Sequence, residues 1–224
     1  MEYRVKILKI KKLTPDVKMF VLERPERYKF SPGDAVMLAI DKPNWRDKKR
    51  PFSLASLPTE SDLQLIIKIY AEHKGVTNQL NTAKTNDILI LSEPFSSIKY
   101  KGPGTFFAGG VGIAPFISML KLAKKDNTIK DCQLFFSNKT KKDIILESWL
   151  KKLFSGIKNG LILTLTREKD SKYLSGRFDE KTIKRYIKLP IKNSYVCGPP
   201  TFVSAMKEII LKLNAHTQEL VMGE

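Results

Sequence analysis

Thr105-Phe106-Phe107-Ala108-Gly109-Gly110-Val111-Gly112-Ile113-Ala114-Pro115 reads as a short buried strand that breaks into glycines and re-forms as an amphipathic helix running to Lys125. Glycines at a strand-to-helix turn let the backbone approach a ligand, and the free N–H groups and dipole of the helix they open favour phosphate. Pro115 suits a first helical turn. Taken alone, such glycines also fit a turn that merely packs a helix on a strand, the lesser of the two readings.

Working outward, the same alternation recurs towards the C-terminus. Apolar runs at 133–137, 161–166 and 194–196 precede amphipathic stretches at 142–154, 179–187 and 201–213, and a last short strand is expected at 219–222. A run of βα units implies a parallel sheet with helices on both faces. Towards the N-terminus the period changes. Apolar residues alternate in bursts at 3–10, 17–23, 35–40, 52–56, 63–70 and 87–91, separated by turns such as Ser31-Pro32-Gly33-Asp34. Six short antiparallel strands at this spacing predict a small closed barrel, and only 75–80 reads as helical there. The predicted fold class is thus β plus α/β: a six-stranded antiparallel barrel domain over 1–99, then a Rossmann-like parallel-sheet domain over 100–224.

Composition limits the function classes. The 224 residues are 42% hydrophobic, enough to build cores rather than a disordered chain. The longest apolar run, 104–120, is broken by Gly109, Gly110, Gly112 and Pro115 and is too short for a membrane span. The charged start Met1-Glu2-Tyr3-Arg4 lacks the features of a signal peptide. Two cysteines, Cys132 and Cys197, cannot supply a disulfide framework or a cysteine-held cluster, so a cytoplasmic setting is expected and no metal site is read. A net charge of +17 would attract an acidic partner. The excess is mostly lysine, spread along the chain and without an aromatic-interleaved basic motif, so nucleic acid is not expected. Oligomeric state is not legible.

Three further segments sit where chemistry could occur. Tyr195-Val196-Cys197-Gly198-Pro199-Pro200 ends a strand of the α/β half, where open sheets bind ligands. Arg50-Pro51-Phe52-Ser53 offers a cation, an aromatic ring and a hydroxyl at one barrel edge, and Gly75-Val76-Thr77 opens the barrel's helix. In this order, Arg50-x-Phe52-Ser53, Gly75-Val76-Thr77, Gly110-x-Gly112-x-x-Pro115 and Cys197-Gly198-Pro199-Pro200 resemble the ferredoxin–NADP reductase superfamily. The resemblance covers essentially the whole chain and is nearest to free-standing bacterial flavodoxin/ferredoxin reductases.

That resemblance implies an FAD- and NAD(P)H-dependent oxidoreductase, with roles for particular residues. Arg50 would pair with the flavin diphosphate, Ser53 would hydrogen-bond near flavin N5, and Phe52 would stack on the ring where relatives often carry Tyr. Pro51 belongs to the same segment. Ile67, Ile69 and Tyr70 resemble the strand bordering the flavin, and Gly75, Val76 and Thr77 the segment holding its diphosphate, which favours FAD over FMN. Gly110, Gly112, Ile113 and Pro115 would admit the pyridine dinucleotide, with Gly198 and Pro199 on the facing edge. Cys197 would lie beside nicotinamide C4 as an orienting group. Thr166-Arg167 resembles the Ser-Arg that binds a 2′-phosphate, so NADPH is expected, with NADH possible. The implied acceptor is an acidic electron-transfer protein such as flavodoxin or ferredoxin. Two alternatives remain at this level: a reductase using flavin as a diffusing substrate, and a non-catalytic docking subunit of a larger redox complex.

Overall fold

In the computed structural model, residues 1–213 and the backbone of 217–221 are described. The first half forms β1 (Glu2–Lys12), β2 (Val17–Leu22), β3 (Asp34–Ile40), β4 (Arg50–Ser53), β5 (Leu63–Lys68), helix α1 (Val76–Gln79) and β6 (Ile88–Ser92). Their order around the barrel is β4-β3-β6-β1-β2-β5, all antiparallel. Alternation decides the faces: along β1, Val5 and Ile7 are buried while Arg4 and Lys6 are exposed. A register shift between Ile7 and Lys9 lets β1 pair first with β6 and then with β2, so one strand bends around the barrel. A two-residue strand that the sequence did not announce, β7 (Phe95–Ser96), also pairs with β3.

The second half is a parallel sheet of β8 (Thr105–Gly109), β9 (Gln133–Asn138), β10 (Leu161–Leu165), β11 (Leu174–Ser175), β12 (Ser194–Gly198) and β13 (Thr217–Val221). The spatial order is β11-β10-β9-β8-β12-β13. Strand neighbours are Phe106 and Phe107, Phe135 and Phe136, with odd and even positions feeding cores on opposite faces. Helices α2 (Ala114–Lys125) and α3 (Glu147–Leu153) cover one face; α4 (Glu180–Tyr186) and α5 (Pro200–Lys212) cover the other.

The expected helix over 142–154 is interrupted. A capping box between Thr140 and Asp143 starts a single turn at Lys141–Asp143, the chain extends at Ile144, and Leu146 takes φ 55° before α3 begins. Ile144 and Ile145 are buried against the sheet, which wins over helix continuity. The short β11 also escaped the sequence pattern, being only two residues long. Of the expected last strand, β13 covers 217–221 and Met222 lies outside the described residues.

The halves are packed together. Val17, Ala55, Ile66 and Ile98 from the barrel side share a core with Phe116, Met119 and Leu120 of α2. Lys121 of α2 adds hydrogen bonds to Glu60 at 2.9 and 3.1 Å and to Gln64 at 3.0 Å. Gly33, at φ 97°, lies so close beneath that a methyl group on it would stand 2.1 Å from the Ile98 carbonyl oxygen. Among the described residues, no helix is long and apolar enough to cross a membrane.

Candidate functional site

The barrel opens on one side. β4 and β5 are its end strands, joined just beyond β4 by a bridge between Leu54 and Leu65 and by hydrogen bonds from Ala55 N to Gln64 O at 2.8 Å and from Gln64 N to Ser56 Oγ at 3.1 Å. Beyond that closure no ladder connects Arg50–Ser53 to Ile66–Lys68 among the described residues. The backbone groups along this edge of β5 are therefore left for another partner. Arg50 and Pro51 are exposed, Phe52 is half-buried and Ser53 is 9% exposed. Ile67 and Ile69 turn their side chains into the core, leaving only their backbones to meet a ligand. Gly75 opens the four-residue α1 without a side-chain cap; Val76 is buried and Thr77 half-buried. A slot with a guanidinium, a ring and a hydroxyl on one lip and bare backbone on the other fits a flat, polar-edged ring system carrying a diphosphate.

In the α/β half, chain order reverses between β8 and β12, the switch point where such sheets bind ligands. β8 ends in Gly109 and continues as a tight turn over Gly110–Ile113. Gly110 has φ 54°, and a methyl group added to it would meet nothing within 4 Å. Gly112 is pressed onto the end of β12. Phe202, in the first turn of α5, lies over Gly109 and Gly198, where added methyl groups would meet its ring at 3.1 and 2.9 Å. Pro115 and Pro200 sit at the starts of α2 and α5.

A cleft of about 600 Å³ lies between the barrel and the carboxyl edge of the sheet. One wall is barrel: Asp16, Val17, Lys68, Tyr70 and His73. The other is the carboxyl edge of the sheet, with Gly110, Asn138, Thr166, Arg167 and Pro199. Tyr70 stacks on His73 at 5.4 Å with planes 8° apart, and the Lys68 ammonium lies 5.4 Å over the Tyr70 ring. Five of the expected site residues thus line this cleft: Tyr70, Gly110, Thr166, Arg167 and Pro199. The Arg50–Ser53 and Gly75–Thr77 segments belong to the barrel slot instead.

Ile113 and Cys197 are fully buried in the shared core. Burial pushes the Cys197 thiol well above its usual range, so it stays protonated. What Cys197 presents at the switch point is its backbone, against Gly112, and not its sulfur.

Phe202, Asn138, Lys139 and Arg177 are among the cleft residues that were not singled out in the sequence, and Lys139 and Arg177 add positive charge beside Arg167. Arg177 arrives there because Gly176, at φ 91°, donates its N–H to Leu165 O at 2.8 Å, while Thr164 Oγ1 donates to Gly176 O at 2.6 Å. Neither Arg167 nor Arg177 pairs with a carboxylate among the described residues. Nearby Glu168 instead accepts from Lys141 N at 2.8 Å. Two unpaired guanidinium groups facing one space suit a phosphate dianion.

Comparison with known proteins agrees with this geometry. Residues 4–100 match the model of an oxidoreductase FAD-binding domain, and 106–208 that of an oxidoreductase NAD-binding domain. NADH-cytochrome b5 reductase 2-A of Vanderwaltozyma polyspora is 28% identical over 214 residues, spanning 89% of this chain and 72% of that one. The flavodoxin/ferredoxin–NADP reductase of Buchnera aphidicola is 25% identical over 222 residues, spanning 92% and 88%. In fold, the chain is similar to a ferredoxin NADP+ reductase from Neisseria gonorrhoeae solved with FAD and NADP, with a TM-score of 0.83 at 19% identity, covering 97% of this chain and 98% of that one.

Proposed function

Because the chain belongs to the ferredoxin–NADP reductase superfamily of FAD- and NAD-binding oxidoreductases, we propose that it takes hydride from NADPH and delivers electrons singly to a separate acidic electron-transfer protein, a flavodoxin or ferredoxin. The observation that carries this reading is the cleft between the two halves: Lys68 and Tyr70, at and just beyond the end of β5, face the Gly109–Gly110 turn of the sheet across it.

Bound FAD supplies a ring that accepts a hydride and releases its electrons one at a time. The chain's part is to bind and orient. Arg50 takes the diphosphate charge, Phe52 covers the ring, and the Ser53 hydroxyl is held in β4, paired through Ala35, to hydrogen-bond at the reacting edge. On the sheet side, the Gly109–Gly110 turn takes the dinucleotide's diphosphate on backbone N–H groups. Thr166, Arg167 and Arg177 take the 2′-phosphate, which favours NADPH over NADH. Gly112, pressed against the end of β12, holds the turn after β8 in place on the sheet. The Cys197 thiol, protonated and enclosed, acts as packing at the end of β12 and moves no proton.

The +17 charge supports an acidic acceptor through long-range steering. The test is NADPH-driven reduction of a flavodoxin or ferredoxin at rising ionic strength. Rates that fall with salt support the reading; salt-independent rates remove the acidic partner. A second reading rests on Phe52, which lacks the hydroxyl that Tyr would offer the flavin: the protein would then reduce flavin as a diffusing substrate. Prolonged dialysis separates the two, since a reductase with a resident cofactor stays yellow.

A further inference from the structure

The parallel sheet has a second edge, where its strands begin. It faces away from Gly109, Asn138 and Pro199, and a five-residue strand puts about 16 Å between the two edges. At this amino edge the chain runs through residues 101–104, 126–132, 155–160 and 187–193, beside the end of α2. Lys124 and Lys125 end α2, and the four segments add Lys101, Lys130, Lys158, Lys188 and Lys192, against only Asp126 and Asp131. They contain no arginine and no aromatic residue. None of these lysines pairs with a carboxylate among the described residues. Between Lys188 and Lys192, Leu189 is 68% exposed and Pro190 is exposed beside it.

The face is tied together. Gln133, 1% exposed at the start of β9, donates through Nε2 to Asn159 O and to Tyr186 O, both at 2.7 Å, and its Oε1 accepts from Lys188 N at 3.0 Å. Asn193 Nδ2 donates to Pro103 O at 3.0 Å, and Lys188 Nζ donates to Lys130 O at 3.5 Å. The cations and the apolar tip are thus held in one arrangement before anything binds, which lowers the ordering cost of association.

We infer that the amino edge of the sheet is a docking surface for an anionic lipid bilayer, its lysines meeting the headgroups and Leu189-Pro190 entering beneath them. Lysine is a compact point charge, suited to a fluid layer of phosphates and carboxylates that offers no fixed geometry for a guanidinium fork. Stable surface binding takes two signals, and here charge is joined by an apolar side chain bracketed by cations. Protein interfaces, in contrast, favour arginine and aromatic anchors at their centre and are depleted in lysine. The electron acceptor has no use for this face, which lies a sheet's length from the cleft. Docked in this way, the protein keeps its cleft open to the aqueous side. The inference does not rest on the nucleotide or acceptor reading.

The experiment measures sedimentation of the full chain with vesicles of phosphatidylcholine alone and of phosphatidylcholine with about one-third phosphatidylserine, which carries the anionic surface charge. Wild type should bind the anionic vesicles only. A Lys124→Ala, Lys130→Ala, Lys192→Ala variant should bind them about 100-fold more weakly, at about fivefold per lysine. Leu189→Ser should weaken binding about 10-fold through lost apolar burial. A Lys6→Ala, Lys9→Ala, Lys11→Ala variant on β1 loses the same charge and should stay within about threefold of wild type, because charges beyond a Debye length from the bilayer are screened. Four results overturn the inference: wild type that ignores the anionic vesicles; equal weakening in both lysine variants, which would mark a diffuse positive field; unchanged binding of Leu189→Ser; or wild type retained by immobilised polyglutamate and not by vesicles, which would mark an acidic protein as the partner.

Discussion

Gly112 lies against Cys197 so closely that a methyl group on Gly112 would stand 2.3 Å from the Cys197 carbonyl oxygen and 2.7 Å from Gly198 N. Both neighbours are backbone, so neither can yield by turning a side chain. This contact joins the turn after β8 to the end of β12 at the point where chain order reverses.

Gly112→Ala should therefore force the turn and β12 apart, costing about 1–3 kcal/mol of stability as overpacking does. It should also weaken NADP+ binding by displacing the Gly110 N–H. Urea unfolding and calorimetry on the same variant check both. Gly110→Ala tests the other property: no atoms crowd the site, but φ 54° disfavours a side chain, so the smaller effect should fall on the turn alone.

Removing either unpaired guanidinium should discriminate between nucleotides. Arg167→Ala and Arg177→Ala should each raise the KM for NADPH about 10-fold or more, corresponding to loss of a charge-assisted hydrogen bond, with little change in the KM for NADH. Equal effects on both nucleotides would take that arginine out of the 2′-phosphate site.

Phe52→Tyr should slow the loss of FAD on dialysis. The ring is half-buried on the open lip of the barrel, and one added hydroxyl hydrogen bond of about 1 kcal/mol corresponds to roughly fivefold tighter retention. The measurement is the fraction of protein-bound flavin absorbance against time. Unchanged retention would show that the hydroxyl position does not face the cofactor.

Both thiols are buried, and burial pushes Cys132 up to about 11 and Cys197 up further still. Unfolding returns each to the ordinary thiol value of about 8.5. With the folded pKa raised, this contribution to stability is complete below pH 8.5 or so and is lost as pH rises towards the folded values. The urea midpoint should accordingly fall between pH 8 and pH 11, and less so in a Cys132→Ala, Cys197→Ala double variant. A disulfide-exchange reagent at pH 8 should titrate no thiol in the native protein and both of the chain's 2 cysteines after denaturation.

The fold was largely legible because its two halves announce themselves by period: alternation in β1 through β6, and continuous apolar strands joined by amphipathic helices after Gly104. Legibility failed where tertiary contacts outvote local pattern. Leu146 and the buried Ile144-Ile145 pair break a helix that residues 142–154 would otherwise form, and β11 is too short to leave a periodic trace. At the site, glycine and proline motifs marked the loops because backbone geometry there demands particular residues. Arg177, Phe202 and Asn138 carried no such mark. Arg177 reaches the cleft only through the hydrogen bonds that hang Gly176 on β10, and the buried, unpartnered amide of Asn138 is visible only once every neighbour is placed. Cys197 stood in a motif, but which way its side chain turns is a property of the packed core.

The central claim is that the open barrel lip and the sheet's switch point together hold two ring systems in position for hydride transfer. Its most direct test is the visible absorbance of the FAD-loaded protein during anaerobic titration with NADPH. The account predicts bleaching of the flavin band complete at about one equivalent of NADPH. Retention of the full flavin spectrum with FAD bound and NADPH in excess would contradict it.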